Sequence, residues 1–149
     1  INTEDNFQDY KLWRDFNFKM LSFIADSFDG TIIVPMTVTN RQYYDELILK
    51  LSERYTVKHF ILYASEKVIL KRLSTRFERK NSWAARKARE CINAFDRNIP
   101  GTKIMTDNMG IDEIIQQIGE LSGIVLNRDK RSRLTKKLNR LIVKIKNIR

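Results

Sequence analysis

Among 149 residues there is one cysteine, one histidine, two prolines and five glycines, and each scarcity removes a class of chemistry. A lone Cys91 forbids an internal disulfide and a cysteine-based metal site, and it suits a reducing, cytosolic setting. Cys91 falls on an apolar helix face, where a thiol is expected to pack. His59 leads into a strand with no evident partner, so a Ser-His-Asp arrangement is not in view. The glycines are scattered and none precedes a lysine, so no G-x-x-x-x-G-K-[ST] phosphate loop is present. No metal-ligand spacing appears. No apolar run approaches the roughly 20 residues of a membrane span. The amino end is acidic and polar, unlike a secretory signal, and the chain opens on Ile1, so a fragment is expected.

What is present is charge, unevenly placed. The chain carries a net charge of +10. From Arg128 to Arg149 there are ten Lys or Arg and one Asp, whereas the other 127 residues nearly balance, with 18 basic and 17 acidic groups. The basic character therefore belongs to the tail. With 42% hydrophobic and 31% charged residues, the rest is ordinary globular sequence, long enough for one domain with a core.

Periodicity predicts a helix over 12–28, with Trp13, Phe16, Met20 and Ile24 on its buried face and Asp29-Gly30 as its stop. Thr31 to Val38 reads as a buried strand, interrupted where Pro35 cannot donate to a ladder, so that Met36 and Thr37 sit at its carboxyl edge. Asn40 caps a helix to about Tyr55, burying Tyr44, Leu47, Ile48 and Leu51. A strand over 58–64 leads to Ser65, the cap of the next helix, and Ser82 caps another, in which Trp83, Ala84, Ala88, Cys91, Ile92 and Phe95 pack. After the Pro100-Gly101 turn come a short strand over 102–106 and a helix over 111–121 closed by Gly123. Alternating strands and helices argue an α/β fold with a parallel sheet. A final helix starts at Asn127 or Asp129. Leu134, Leu138, Leu141, Ile142, Ile145 and Ile148 follow helical spacing, with basic residues on the other face.

Between the second strand and the third lies a basic stretch. Lys71 to Arg89 carries eight cations, and Arg72, Arg76 and Arg79 share one helical face. Arg86 and Arg89 follow a break at Lys80-Asn81-Ser82. Two short helices hinged at a polar turn would make an arginine clamp for phosphate; a solvated basic face is the plainer alternative.

Several stretches resemble a known family. They are Asp9-Tyr10-Lys11-Leu12-Trp13-Arg14-Asp15-Phe16-Asn17, Ile33-Val34-Pro35-Met36-Thr37, Leu70 to Arg76, Lys80-Asn81-Ser82-Trp83-Ala84-Ala85, Thr106-Asp107-Asn108 and Leu141-Ile142-Val143-Lys144. Together they resemble the bacterial tunicamycin-resistance proteins, ATP-binding relatives of P-loop nucleoside and nucleotide kinases, over essentially the whole chain. The resemblance implies a three-layer parallel sheet of the P-loop kinase type, amino-terminally truncated, with a C-terminal amphipathic helix. A partial kinase-like domain would span 1–126, with its lid at about 71–89, and the basic helix 127–149. The family's glycine loop, its Lys and its Ser/Thr would hold phosphates and Mg²⁺, and they do not occur here. The missing first strand would lie between the strands at 31–38 and 58–64, so this chain alone is expected to be poorly stable and to bind ATP weakly or not at all.

By resemblance, Arg72, Arg76 and Arg79 are lid residues for ATP phosphates and transition-state charge, with Arg86 as a further candidate. Arg72 could instead pair with Glu66, and Asn81 and Ser82 could serve only as caps. Thr106 and Asp107 fall in the segment that edges the adenine. Trp13 and Arg14 fall near the acceptor site, Trp13 offering a flat face to a uracil or sugar unless it is core, and Met36 and Thr37 face the ligand crevice. Asp15 and Asp26 are possible bases that nothing distinguishes from surface acids, and no strand ends in a Walker-B-like acid. The implied partners are ATP with Mg²⁺, tunicamycin or a related nucleoside, and an anionic membrane surface on the inner face of the cell membrane, reached through the tail; a tail helix packed on its own domain is the alternative. A non-enzymatic drug-sequestering protein and a kinase of another nucleoside are the alternatives. Nucleic acid is disfavoured, because the tail has no aromatic residue for base stacking.

Overall fold

The computed structural model describes residues 7–75, 82–127 and 129–146. It divides into two compact units, Ile1–Ile114 and Ile115–Arg149. The first is a mixed helix and strand unit. After a 3₁₀ turn (Phe7–Asp9), α1 runs Lys11–Ser27. A second helical stretch follows in three pieces: α2 (Arg41–Tyr43), a π-helix (Tyr44–Leu49) and α3 (Lys50–Ser52). Then come β1 (Phe60–Tyr63), α4 (Glu66–Ser74), α5 (Trp83–Arg97), β2 (Thr102–Met105) and α6 (Ile111–Ser122), which reaches into the second unit. The second unit also holds α7 (Arg133–Lys146).

The local signals are read out as expected. Asn40 Oδ1 accepts the Gln42 N–H at 2.8 Å. Ser65 Oγ accepts from Val68 N–H at 3.4 Å and Ser82 Oγ from Ala85 N–H at 3.3 Å, each covering a helix-end donor that has no intrahelical acceptor. Gly123 ends α6 at φ 71°, a conformation that favours glycine.

β1 and β2 pair in parallel, Phe60 level with Thr102 and Tyr63 with Met105. The α4–α5 pair forms the crossover that a parallel connection requires. Ile61 and Ile104 are both buried, and they point to opposite faces because Ile104 is level with Leu62. Core therefore lies on both faces of the pair. Leu47, Ile48, Val38, Ala64, Ala85 and Ile99 complete it.

Four expectations are corrected. Residues 31–38 do not form a strand: they have no regular secondary structure, with Ile33 85% exposed and only Val38 buried. A strand needs a neighbour for its backbone groups, and β1 pairs only with β2 among the described residues. On α1 the inward face is rotated from the expected stripe: Arg14 and Ser22 are buried while Phe16 and Met20 are exposed, because Arg14 anchors the helix. Trp83 is 69% exposed, and α5 turns Ala85 inward instead. The last helix starts after Ser132, whose Oγ accepts from Thr135 N–H at 3.1 Å. Asp129 instead closes a loop on Arg131, taking its backbone N–H at 3.0 Å and its guanidinium at 2.8 Å.

The sheet face shared by Leu62 and Ile104 provides a stability test. Ile104→Ala should destabilise by about 2–4 kcal/mol in urea unfolding, whereas Leu62→Ala, at a half-exposed position, should stay within about 1 kcal/mol.

Candidate functional site

The carboxyl edge of the strand pair gathers three of the residues singled out from sequence. Thr106 follows β2 and is tied to β1, its N–H donating to Tyr63 O at 2.7 Å and its Oγ1 to the same oxygen at 3.0 Å. Arg72, two turns into α4, spans the same residue, with Nη1 donating to Thr106 Oγ1 at 3.1 Å and Nη2 to Thr106 O at 2.7 Å. Asp107 Oδ1 accepts the Ser65 backbone N–H at 2.8 Å. The Ser65 side chain first, then this backbone N–H, with the Arg72 charge adding, holds the Asp107 carboxyl below its ordinary value. Arg72 thus fastens α4 to the β2 edge. Glu66, its alternative partner, pairs instead with Arg89 at 2.6 Å, linking α4 to α5. Arg86 is exposed on α5. Arg76, Arg79 and the hinge Lys80-Asn81 lie outside the described residues.

The expected acceptor residues are organised by Arg14. Its side chain is 5% exposed. Nε donates to Glu46 Oε2 at 2.6 Å, Nη1 donates to Gln8 O at 2.5 Å and to Asp9 O at 3.0 Å, and the guanidinium lies 4.5 Å from the centroid of the Tyr43 ring. Its charge is spent inside the protein rather than offered to an acceptor. Trp13 is half-buried, its carbonyl accepting from Asn17 Nδ2 at 2.7 Å. Met36 is half-buried and Thr37 exposed, with Gln8 Nε2 donating to Thr37 O at 2.7 Å. The 3₁₀ turn therefore bridges Arg14 to the segment that carries Met36 and Thr37. The two possible bases are engaged: Asp15 takes Lys11 at 2.5 Å, and Asp26 takes the Tyr55 hydroxyl at 2.7 Å. His59 Nδ1 donates to Pro100 O at 2.7 Å, fixing the turn before β2. Burial pushes the Cys91 thiol up.

Beside this network opens a cavity of about 390 Å³ lined by Asp9, Thr39, Asn40, Arg41, Tyr43, Lys87 and Asn98. Of these, sequence reasoning singled out only Asn40, as a cap, because the lining comes from four separate stretches with no shared spacing.

As a site for MgATP, the described residues fit in part. Arg72 and Thr106 bring a cation and a hydroxyl together at the carboxyl edge of the strand pair. The five glycines form no backbone cradle. No three His, Cys, Asp or Glu side chains converge among the described residues.

In the second unit Leu134, Leu138 and Leu141 line an open apolar groove along α7, and Leu134 is 79% exposed. Ile142 is also exposed. The Ile145 side chain and Ile148 lie outside the described residues. No helix of the described residues is long and apolar enough to cross a membrane.

No family model, curated protein or solved structure matches the chain.

Arg14→Ala should destabilise by roughly 2 kcal/mol in chemical denaturation, because it removes the donor shared by two carbonyls and Glu46, which keeps only its Gln42 bond. The Arg14 guanidinium first, then the Gln42 amide, holds the Glu46 carboxyl below its ordinary value. A depressed carboxyl stabilises fully above its unfolded value and loses that contribution as pH falls through the folded one. Acid titration of stability should therefore show a loss beginning near about pH 4 that Glu46→Gln makes shallower.

Proposed function

We propose that this chain works as an ATP-binding, kinase-like antibiotic-resistance protein of the tunicamycin-resistance type, at a membrane surface on the cytoplasmic side. The observation that carries the reading is the meeting of Arg72, Thr106 and Asp107 at the carboxyl edge of a parallel strand pair. Ligands of open α/β sheets bind at that edge. The same residues stand in the stretches that resemble the family, as do Leu12-Trp13-Arg14 and the Lys80 to Ala85 run. On this reading the sheet belongs to a three-layer arrangement of the P-loop kinase type, and the Mg²⁺ of MgATP travels with the nucleotide. Arg72 would exchange one of its Thr106 bonds for a phosphate oxygen.

Calorimetry with MgATP tests this. The 149-residue chain should bind weakly or not at all, and a form extended upstream through a glycine loop should bind in the micromolar range. Arg72→Ala in that form should weaken binding about tenfold. Absence of binding by both forms would overturn the nucleotide reading.

A second reading, non-enzymatic sequestration of the drug, is favoured by the internal engagement of Asp15 and Asp26, which leaves no free base at either position. The two separate by mass: a drug incubated with the nucleotide-binding form and ATP gains a phosphate only if the protein is a kinase. Phosphorylation of some other nucleoside in place of the drug would make it a kinase of different specificity.

The α7 helix supplies the membrane contact in this reading. Its exposed leucines would enter the headgroup region while its cations attract anionic lipid, at about 1 kcal/mol each near the surface. Leu138→Glu with Leu141→Glu should lower co-sedimentation with anionic vesicles about tenfold or more. Undiminished sedimentation would remove α7 from the membrane role.

A further inference from the structure

The cavity beside the Arg14 network has a composition that selects a ligand class. Its seven lining residues carry two cations, one carboxylate, two carboxamides and two hydroxyls, with no aliphatic side chain among them. At about 390 Å³ it lies in the lower range of small-molecule sites. The lining is also partly pre-engaged, and that decides which atoms remain for a ligand. The Asp9 carboxylate accepts the Tyr43 hydroxyl, which raises the phenol's pKa. Arg41 gives only Nε to Asp45, at 2.9 Å, and its guanidinium rests over the Tyr44 ring, 5.6 Å from its centroid. Both Arg41 Nη groups lack a partner among the described residues. Lys87 gives Nζ to Glu90 at 2.7 Å and keeps two more hydrogens. Asn40 spends its Oδ1 on the Gln42 N–H and keeps its Nδ2. The side chains of Thr39 and Asn98 have no hydrogen-bond partner among the described residues, so the remaining atoms are mostly donors.

A donor-rich polar cavity with a pre-held guanidinium suits an acceptor-rich anion. The Arg41 fork matches two phosphate oxygens, Lys87 adds a point charge from a different helix, and Asn98 both donates and accepts, as a pair of sugar hydroxyls requires. The same lining rejects an acyl chain or a bare aromatic body, which would strand these donors dry.

We propose that this cavity binds a small phosphorylated sugar, either free or as the sugar-phosphate part of a nucleotide, with Arg41 and Lys87 on the phosphate and Asn40 and Asn98 on the hydroxylated ring. Its lining shares no residue with the Arg72 edge, and the proposal does not depend on the ATP reading.

The test is calorimetry and amide NMR titration of the 149-residue chain with ribose 5-phosphate, uridine monophosphate, ribose and inorganic phosphate. Both phosphate esters should saturate, shifting the amides of residues 39–41, 87 and 98, and should bind about tenfold or more tighter than ribose. Tighter binding of the nucleotide than of ribose 5-phosphate assigns the nucleotide source, and equal binding assigns the free sugar phosphate. Arg41→Gln and Lys87→Gln should each weaken both esters about tenfold. Arg41→Lys, which keeps the charge but loses the fork, should fall between, with unfolding midpoints of all three variants near that of the parent. The proposal is overturned if neither ester saturates, if ribose binds as well as its phosphate, if inorganic phosphate alone matches the esters, or if folded Arg41 and Lys87 variants bind unchanged.

Discussion

A buried guanidinium organises the first unit. Arg14 sits on the inward face of α1, where a leucine would ordinarily stand, and removing a charge from water there is tolerable only with near-complete hydrogen bonding. Glu46, the two carbonyls of the 3₁₀ turn and the Tyr43 ring supply it. Each partner is then fixed in turn. The 3₁₀ turn is drawn against α1, Gln8 reaches Thr37, and Asp9 meets Tyr43. The segment that would otherwise hang from Pro35 is thereby held at one end, and the polar cavity opens next to the residues so fixed. Glu46 lies in the π-helix, whose wider turn keeps Leu47 and Ile48 both buried beside it. One side chain thus sets the relation of two helices, a turn and an irregular segment.

The strand pair is held differently. Four residues on each strand give few ladder bonds, so its carboxyl edge is reinforced by side chains. Thr106 bonds to Tyr63 through both its amide and its hydroxyl, Asp107 reaches Ser65, and Arg72 reaches across from α4. These bonds join the start of α4, its last turns and the end of β2. An arginine that closes a structural loop in this way has its terminal groups fixed at the carboxyl edge of the strand pair.

What was legible in the sequence was local. Ser65, Ser82, Asn40 and Gly123 act within three or four residues of themselves, so their spacing suffices. What was not legible depends on partners far along the chain. Residues 31–38 have the β-branched composition of a strand, but composition cannot supply the ladder. Trp83 reads as core by chemistry, yet α5 turns its alanines inward and leaves the indole in solvent. Arg14 falls near an acceptor site by resemblance, and only Glu46, 32 positions away, reveals its structural use. The cavity was invisible for the same reason: Asp9, Arg41, Lys87 and Asn98 share no periodicity and meet only in three dimensions. The arginine comb was only partly informative, since Arg72 faces Thr106 while Arg89 faces Glu66.

The tail follows a different logic from the rest of the chain. A 14-residue helix is marginal in water by itself, because nucleation is costly and each turn recovers little. Exposed leucines make that balance worse, since each forgoes about 1.5–3 kcal/mol available from burial. The sequence nevertheless keeps Leu134, Leu138, Leu141 and Ile142 on helical spacing, places a good cap at Ser132 and fills the remaining positions with cations. Such a pattern is stabilised by a surface that accepts both faces at once, apolar beneath and anionic around. Mutual repulsion of the cations opposes α7 in solution, and the same charges favour it against an anionic interface. On the proposed membrane role, helix formation and surface binding in this segment are one linked equilibrium, with helix content set by the surface as well as by the sequence.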